Sequence, residues 1–382
     1  DRKIVATGQV GKNPIICVWS AEDCSLISQF KQGRDTRLVK AIGINKDAQY
    51  VASAAADNDH TIFVFDLQGN KLGQQKGGVD PVLDLAWSPV DNIFATAEKR
   101  GVSFYTFDGS SLSGKKGIFG GNKMAAMATV AFGPDGKCYS GSIDGSLYLW
   151  NGSSCVKSIQ VTTGFINSIC VTPDRILVGG KNSITVFDTS LNKISNIPTG
   201  SQVRSIDHHG SNILVGLRDG TLLEFDESNN SKTLMQSHSD GEAWGLAICP
   251  NTGLIVTSSD DNKIMSWDPE ARKCIATAIV NEVPGIKKKI GGASTLSVFP
   301  PNQCARATAI NGTNGHVAVG LNNGEVHIHD GVKTLGLVKK INCSKEWIEV
   351  IQYSPDGTKC AVGSHDNNIY IYDVFNHFFP LS

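Results

Sequence analysis

The stretch "AWGLAICPNTGLIVTSSDDNKIMSWD", residues 243–268, decides the fold. It reads as three short strands joined by two turns. "AWGLAI" alternates, "PNTG" turns, "LIVTSS" is apolar and then small, "DDNK" turns again, and "IMSWD" closes on an aromatic and a carboxylate. A period of two gives a strand two unlike faces. Pro, Gly, Asn and Asp are the residues that tight hairpin turns require. The order returns in "IEVIQYSPDGTKCAVGSHDNNIYIYD", residues 348–373, and in "ATVAFGPDGKCYSGSIDGSLYLWN", which ends at Asn151.

Weaker copies fill the rest: "IICVWS", "TIFVFD", "VSFYTFD", "SITVFD", "TLLEFD" and "EVHIHD". Their marker residues are Trp19, Phe65, Phe107, Phe187, Phe225 and His329, and the clear copies add Trp150, Trp267 and Tyr372. Steps between markers run about 37 to 46 residues, with one of about 62. A period near 40–45 with four strands per unit is the signature of a β-propeller. A lone four-stranded sheet cannot bury both faces, whereas sheets stacked side by side can. The predicted fold is therefore all-β, built of propeller blades of four antiparallel strands.

Nine units are predicted. The first lacks its opening strand, because residues 1–10 already read as a second strand. The last shows no clear closing strand after Asp373. Single propellers have four to eight blades, so nine units imply one propeller followed by the start of another. A break falls either near residues 228–237 or at the insertion 281–302.

Composition agrees. The chain has 382 residues, 40 of them Gly, with 19 % charged residues and a net charge of −1. That profile excludes disorder and coiled coil. It supplies no global field for nucleic acid or an acidic membrane. Ten cysteines stand singly with no CxxC pair, which argues against a zinc ribbon or a thioredoxin-like motif. Cys170 and Cys360 lie in apolar runs and read as buried thiols, which suit a reducing compartment. No secretory signal or long apolar segment is present. The chain opens on Asp1 and reads as a piece of something longer.

Tests for chemistry return ordinary turns. "IFGGNKM", residues 118–124, lacks phosphate-loop spacing. Ser364, His365 and Asp366 are adjacent in a turn and so do not converge as a triad must. His208 and His209 point to opposite faces of a strand, with no third metal ligand at useful spacing. "DNDH", residues 57–60, is too short for a calcium loop. No catalytic residue, metal or cofactor is predicted.

The repeats resemble the WD40 family. A WD40 blade is often braced by a hydrogen-bonded His, Ser/Thr, Asp and Trp, and the matching residues here are His238, Thr257, Asp261 and Trp267. Other blades keep fragments: Asp144 with Trp150, and Asp366 with Tyr372. A closer resemblance is to the echinoderm microtubule-associated protein-like family. "DRKIVATGQVG" resembles the segment after that family's hydrophobic HELP motif, "GSSLSGKKGIF" a lysine-bearing segment of its first propeller, and "EAWGLAI" and "YSPDGTKCAVGSHDNNIYIYDV" stretches further along.

That family has two joined propellers and binds tubulin and microtubules. The resemblance implies a first propeller over residues 1–236 and the opening blades of a second over residues 237–382, with the break near Gln236. It implies a non-catalytic cytoskeletal scaffold in the cytoplasm, on microtubules of the cilium or spindle, with tubulin as partner. Lys287, Lys288 and Lys289 in the insertion, and Lys115 and Lys116 in "SGKKG", are the candidate contacts to an acidic partner. The alternative is a general WD40 scaffold for signalling or ubiquitin-ligase complexes, since propellers host many functions. Neither reading sets the oligomeric state.

Overall fold

The structure, a computed structural model, describes residues 3–33, 35–239, 241–280, 304–376 and 378–381. Turn chemistry sets its local shape. Gly136 of "GPDG" and Asn262 of "DDNK" take φ angles of 78° and 63°. This is the left-handed region that hairpin turns use and that Gly and Asn enter at least cost. Between such turns the chain forms nine antiparallel sheets, over residues 4–31, 39–75, 82–116, 127–160, 168–198, 203–235, 243–279, 305–342 and 348–380. Eight have four strands in chain order, and the first has three. We number the sheets one to nine. No helix occurs among the described residues.

The marker aromatics end third strands: Trp150 in Ser146–Asn151, Trp267 in Lys263–Asp268 and Tyr372 in Ile369–Asp373. In sheet one Trp19 ends the middle strand, Ile15–Ser20, so the missing strand is the opening one, as expected. Sheet nine corrects the sequence reading. It has a closing strand, Phe379–Pro380, paired as Tyr372↔Pro380 and Asp373↔Phe379. Two residues are too few to show a period, and Pro cannot extend a ladder as donor, so the sequence carries no sign of it.

The chain forms two compact units. One comprises Asp1–Arg218 with Leu222–Lys232, the other Asp219–Thr221 with Thr233–Ser382. Sheets one to five and most of sheet six belong to the first, and sheets seven to nine to the second.

Within a unit, successive first strands pack side by side and point the same way. Asn167 donates to the Val203 carbonyl at 3.2 Å, Ser168 Oγ accepts from the Ile206 amide at 2.9 Å, and Cys170 lies 3.3 Å from His208. Asp84 ties sheet three to sheet four by accepting from Thr129 Oγ1 at 2.7 Å and from the Val130 amide at 3.0 Å. Burial pushes the Asp84 carboxyl above its usual range, against these hydrogen bonds.

The small residues of second strands now have a cause. A Cβ on Gly179 would sit 2.6 Å from Val203 Cγ1, and one on Gly141 would sit 2.4 Å from Ile166 Cγ2. Each glycine is a notch that receives a β-branched side chain of the next sheet or of the loop leading into it. Leu177, Ile184 and Val186 pack in this way on Val203, Ile206 and Val215. Fully burying each such side chain contributes about 1.5–3 kcal/mol, which no isolated sheet could collect.

Candidate functional site

The parallel first strands sort the turns into two ends. In the first unit, one end holds the turns between first and second and between third and fourth strands. All six sheets place a carboxylate there: Asp23, Asp47, Asp108, Asp135, Asp188 and Asp226. For Asp23, Asp108, Asp188 and Asp226 the turn geometry favours the charged form. Asp23 accepts from Ser20 and Ser25 and is held at about 2, and the Asn192 amide lowers Asp188. Side-chain bonds from Ser111 and Asn230 lower Asp108 and Asp226 likewise. Lys3, Lys46, Lys137 and Arg175 are among the cations at this end.

The opposite end is cationic. Each of the six sheets contributes there as well, through Lys12, Lys40, Lys99, Lys123, Lys181 and Arg204, all exposed. Lys123 lies 3.3 Å from Asp144, and neighbouring pairs join Lys76 to Asp59 at 2.9 Å and Arg100 to Asp80 at 3.3 Å. Those pairs leave the cations in excess. Lys40 and Arg204 owe their position to β-bulges. The register shifts between Val39 and Ala41 and again between Val203 and Ser205, and a bulge re-aims the extra side chain.

The second unit repeats the bulge. The register shifts between Ala243 and Gly245 and between Ala305 and Ala307, marking out Trp244 and Arg306. The Arg306 guanidinium lies 4.3 Å from the Trp244 ring centroid and 4.9 Å from that of Trp347. Its Nε is 3.3 Å from Asp260 Oδ1, and Trp244 Nε1 donates to Asp260 Oδ2 at 3.0 Å. The indoles are 50 % and 41 % exposed. Stacked Arg and half-exposed Trp are the residue types that anchor protein interfaces. Sequence reading missed this group because its members come from two sheets and from the loop that leads into a third. The signal available was the bulged residue just before the small residue of a first strand, which marks Trp244 and Arg306 but not Trp347.

His238, Thr257, Asp261 and Trp267 are brought together. Trp267 Nε1 donates to Thr257 Oγ1 at 2.7 Å, His238 Nε2 lies 2.8 Å from that oxygen, and His238 Nδ1 lies 3.1 Å from both Asp261 oxygens. One donor pattern satisfies every contact: Trp to Thr, Thr to His, His to Asp. The Asp261 carboxylate also accepts from the Ser239 and Lys263 amides, each at 3.0 Å. Burial alone would raise its pKa, but the bonds from His238 and Lys263 outweigh it and hold the carboxyl below its usual range.

The fragments elsewhere are not joined into the same chain of bonds. Trp150 reaches Ser140, at 2.8 Å, while Asp144 holds Ser142 and Ser146 instead. Asp366 binds Tyr370 and Ser344 rather than Tyr372. Lys115 and Lys116 end the strand Leu112–Lys116. Lys115 is exposed, but Lys116 lies 3.3 Å from the buried carboxylate of Glu98, so its charge is already partnered. Lys287, Lys288 and Lys289 lie outside the described residues. Ser364, His365 and Asp366 diverge: His365 pairs with Glu349 at 2.7 Å while Asp366 turns to Tyr370.

Cys170 and Cys360 are buried free thiols. Among the described residues, one group of metal-ligating types converges: Cys170, Asp207 and His208. The third ligand sought beside His208 thus exists, contributed by the neighbouring sheet. Among the described residues no helix is long and apolar enough to cross a membrane.

Comparison with known proteins agrees with this architecture. A family model described as the echinoderm microtubule-associated protein first beta-propeller matches residues 1–224. The WD domain, G-beta repeat matches residues 229–268 and 336–373. A ciliary WD repeat-containing protein, ctxp80 of Euplotoides octocarinatus, is 42 % identical over 381 residues, covering 97 % of this chain and 53 % of its own length. The 77 kDa echinoderm microtubule-associated protein of Strongylocentrotus purpuratus is 28 % identical, covering 98 % of this chain and 54 % of its own. Human echinoderm microtubule-associated protein-like 1 is also 28 % identical, with 98 % and 46 % covered. The chain spans about half the length of the curated relatives it matches.

Proposed function

We propose, from the premise that this chain belongs to the echinoderm microtubule-associated protein family, that it is a non-catalytic scaffold binding tubulin and microtubules. The observation that carries this reading is the charge separation of the first unit. Six sheets each present a cation at one end, and an acidic, flexible polypeptide such as a tubulin tail is the complement of that end. The names of the relatives support the reading, since two are called microtubule-associated and one ciliary. A cytoplasmic place on microtubules, in cilia or the spindle, belongs to the same proposal.

The division into a first propeller over residues 1–236 and the opening blades of a second over residues 237–382 belongs to it too. Sheet seven leaves Leu246 and Ile248 exposed at 64 % and 60 %, and sheet nine leaves Val350 and Ile369 exposed at 57 % and 71 %. Apolar sheet faces of this kind are ones that further blades would cover.

Co-sedimentation with polymerised tubulin tests the function. The protein should pellet at low salt and release as ionic strength rises, because exposed charges are screened. Reversing Lys99, Lys181 and Arg204 to Glu should weaken pelleting about tenfold or more at low salt, as rim charges set encounter and selectivity. Microtubules stripped of their acidic tails should bind less. Absence of pelleting at low salt, or capture of adaptor proteins without tubulin, overturns the reading.

A further inference from the structure

We propose that Cys170, Asp207 and His208 form a zinc-binding site that staples sheet five to sheet six. The first strands Ser168–Val171 and Val203–His209 meet along this seam. At one rung Ser168 Oγ accepts from the Ile206 amide, and two residues on, Cys170 Sγ faces His208 Nδ1 at 3.3 Å. Asp207 Oδ1 lies 4.0 Å from the same nitrogen. The ligand atoms of all three residues lie within 4.8 Å of one another. The cysteine side is apolar and the carboxylate side is open to solvent: Cys170, 8 % exposed, packs in the cluster of Leu177, Val203 and Ile206, while Asp207 is exposed.

The geometry suits the ion. Zinc binds thiolate sulfur at about 2.3 Å and imidazole nitrogen at about 2.0–2.1 Å in a tetrahedron, which sets sulfur and nitrogen about 3.5 Å apart. The sulfur–nitrogen separation needs only a few tenths of an ångström of adjustment, and Asp207 Oδ1, at 4.0 Å from that nitrogen, must move in by somewhat more. The Asp207 carboxylate is steadied beside the imidazole, because its Oδ1 accepts from the His208 amide at 2.8 Å. Hard cations such as calcium and magnesium prefer all-oxygen shells, whereas a thiolate with an imidazole selects zinc. On binding, the Cys170 thiol gives its proton to solvent. His208 binds neutral through Nδ1 and keeps its proton on Nε2. Three protein ligands leave a fourth position for water.

Each strand supplies what the other lacks. His208 and Asp207 are neighbours on one strand, and the thiol comes from a different sheet, so only the assembled seam holds the ion. Metal binding is therefore linked to the docking of the two sheets.

The test uses the purified chain under reducing conditions with cobalt(II) as probe. One equivalent should give a thiolate-to-cobalt charge-transfer band with tetrahedral visible bands, and zinc should displace it. Cys170→Ser and His208→Gln should abolish the band, and Asp207→Asn should weaken affinity about tenfold. Cys360→Ser and His209→Gln should leave it intact. In the unaltered protein, zinc should slow alkylation of Cys170, read by mass spectrometry, which needs no variant to fold. No thiolate band, a band that survives Cys170→Ser, or an alkylation rate indifferent to zinc overturns the proposal.

Discussion

Sheets four and seven carry a tryptophan at the same register and hold it by different means. In sheet seven, Trp267 donates to Thr257, and the chain of hydrogen bonds runs on through His238 to Asp261. In sheet four, Trp150 donates to Ser140, and among the described residues no histidine links that serine to Asp144. Trp150 is instead wholly buried, with Phe119, Phe104 and Tyr148 at ring-centroid distances of 5.1, 5.8 and 6.5 Å. Phe119 reaches it from the loop between sheets three and four. One architecture thus accepts two kinds of brace. The polar one depends on satisfied donors and charge, the apolar one on volume.

The largest expected effect separates these braces directly. Trp150→Ala should cost about 3–5 kcal/mol, since it empties a closed aromatic cluster. Chemical denaturation reads it, and Trp267→Ala should cost less because that indole is only partly buried. Equal costs would erase the distinction. Next comes the acid at the turn. Asp261→Ala should cost about 2–3 kcal/mol by orphaning His238 and two amides, while Asp144→Ala, at a half-exposed site, should cost about 1 kcal/mol or less. Thermal melts of the two variants would sharpen or break the contrast.

The pH response should follow. Asp261 is held below the usual carboxylate range, so its contribution is full above about pH 4 and is lost as pH falls below that. Asp261→Asn should flatten that loss. In sheet eight, burial holds His327 and His329 below the ordinary imidazole value of about 6.5. The unfolded chain takes up their protons first, so stability should decline as pH drops from 7 toward 5, well before Asp261 responds. His329→Phe should lessen that decline. The smallest effect is at the surface: Lys115→Ala should change stability by less than about 0.5 kcal/mol.

Much of the architecture was legible because the period is local. Each copy carries its own turns, alternation and closing aromatic, so nine units and the absent opening strand could be read directly. The tetrad was legible for the same reason, as His238, Thr257, Asp261 and Trp267 lie within one repeat. What escaped reading joins different repeats. Cys170 and His208 are 38 residues apart in sequence, and Trp244, Arg306 and Trp347 come from two sheets and the loop before a third. A sequence pattern assigns residues to faces of their own strand, but not to the partner that the next sheet presents. Lys116 shows the same limit, since only the fold reveals Glu98 beneath it.

The sorting of turns into an anionic and a cationic end makes the first unit an electric dipole despite a chain charge of only −1. Its moment runs from one set of turns to the other. Near a negatively charged filament such a body feels a torque before it feels contact, within about 8 Å at physiological ionic strength. On the proposed function, it would reach the filament already turned, so that fewer collisions are wasted on the wrong side. Net neutrality and oriented capture are compatible because they depend on different moments of the same charge distribution.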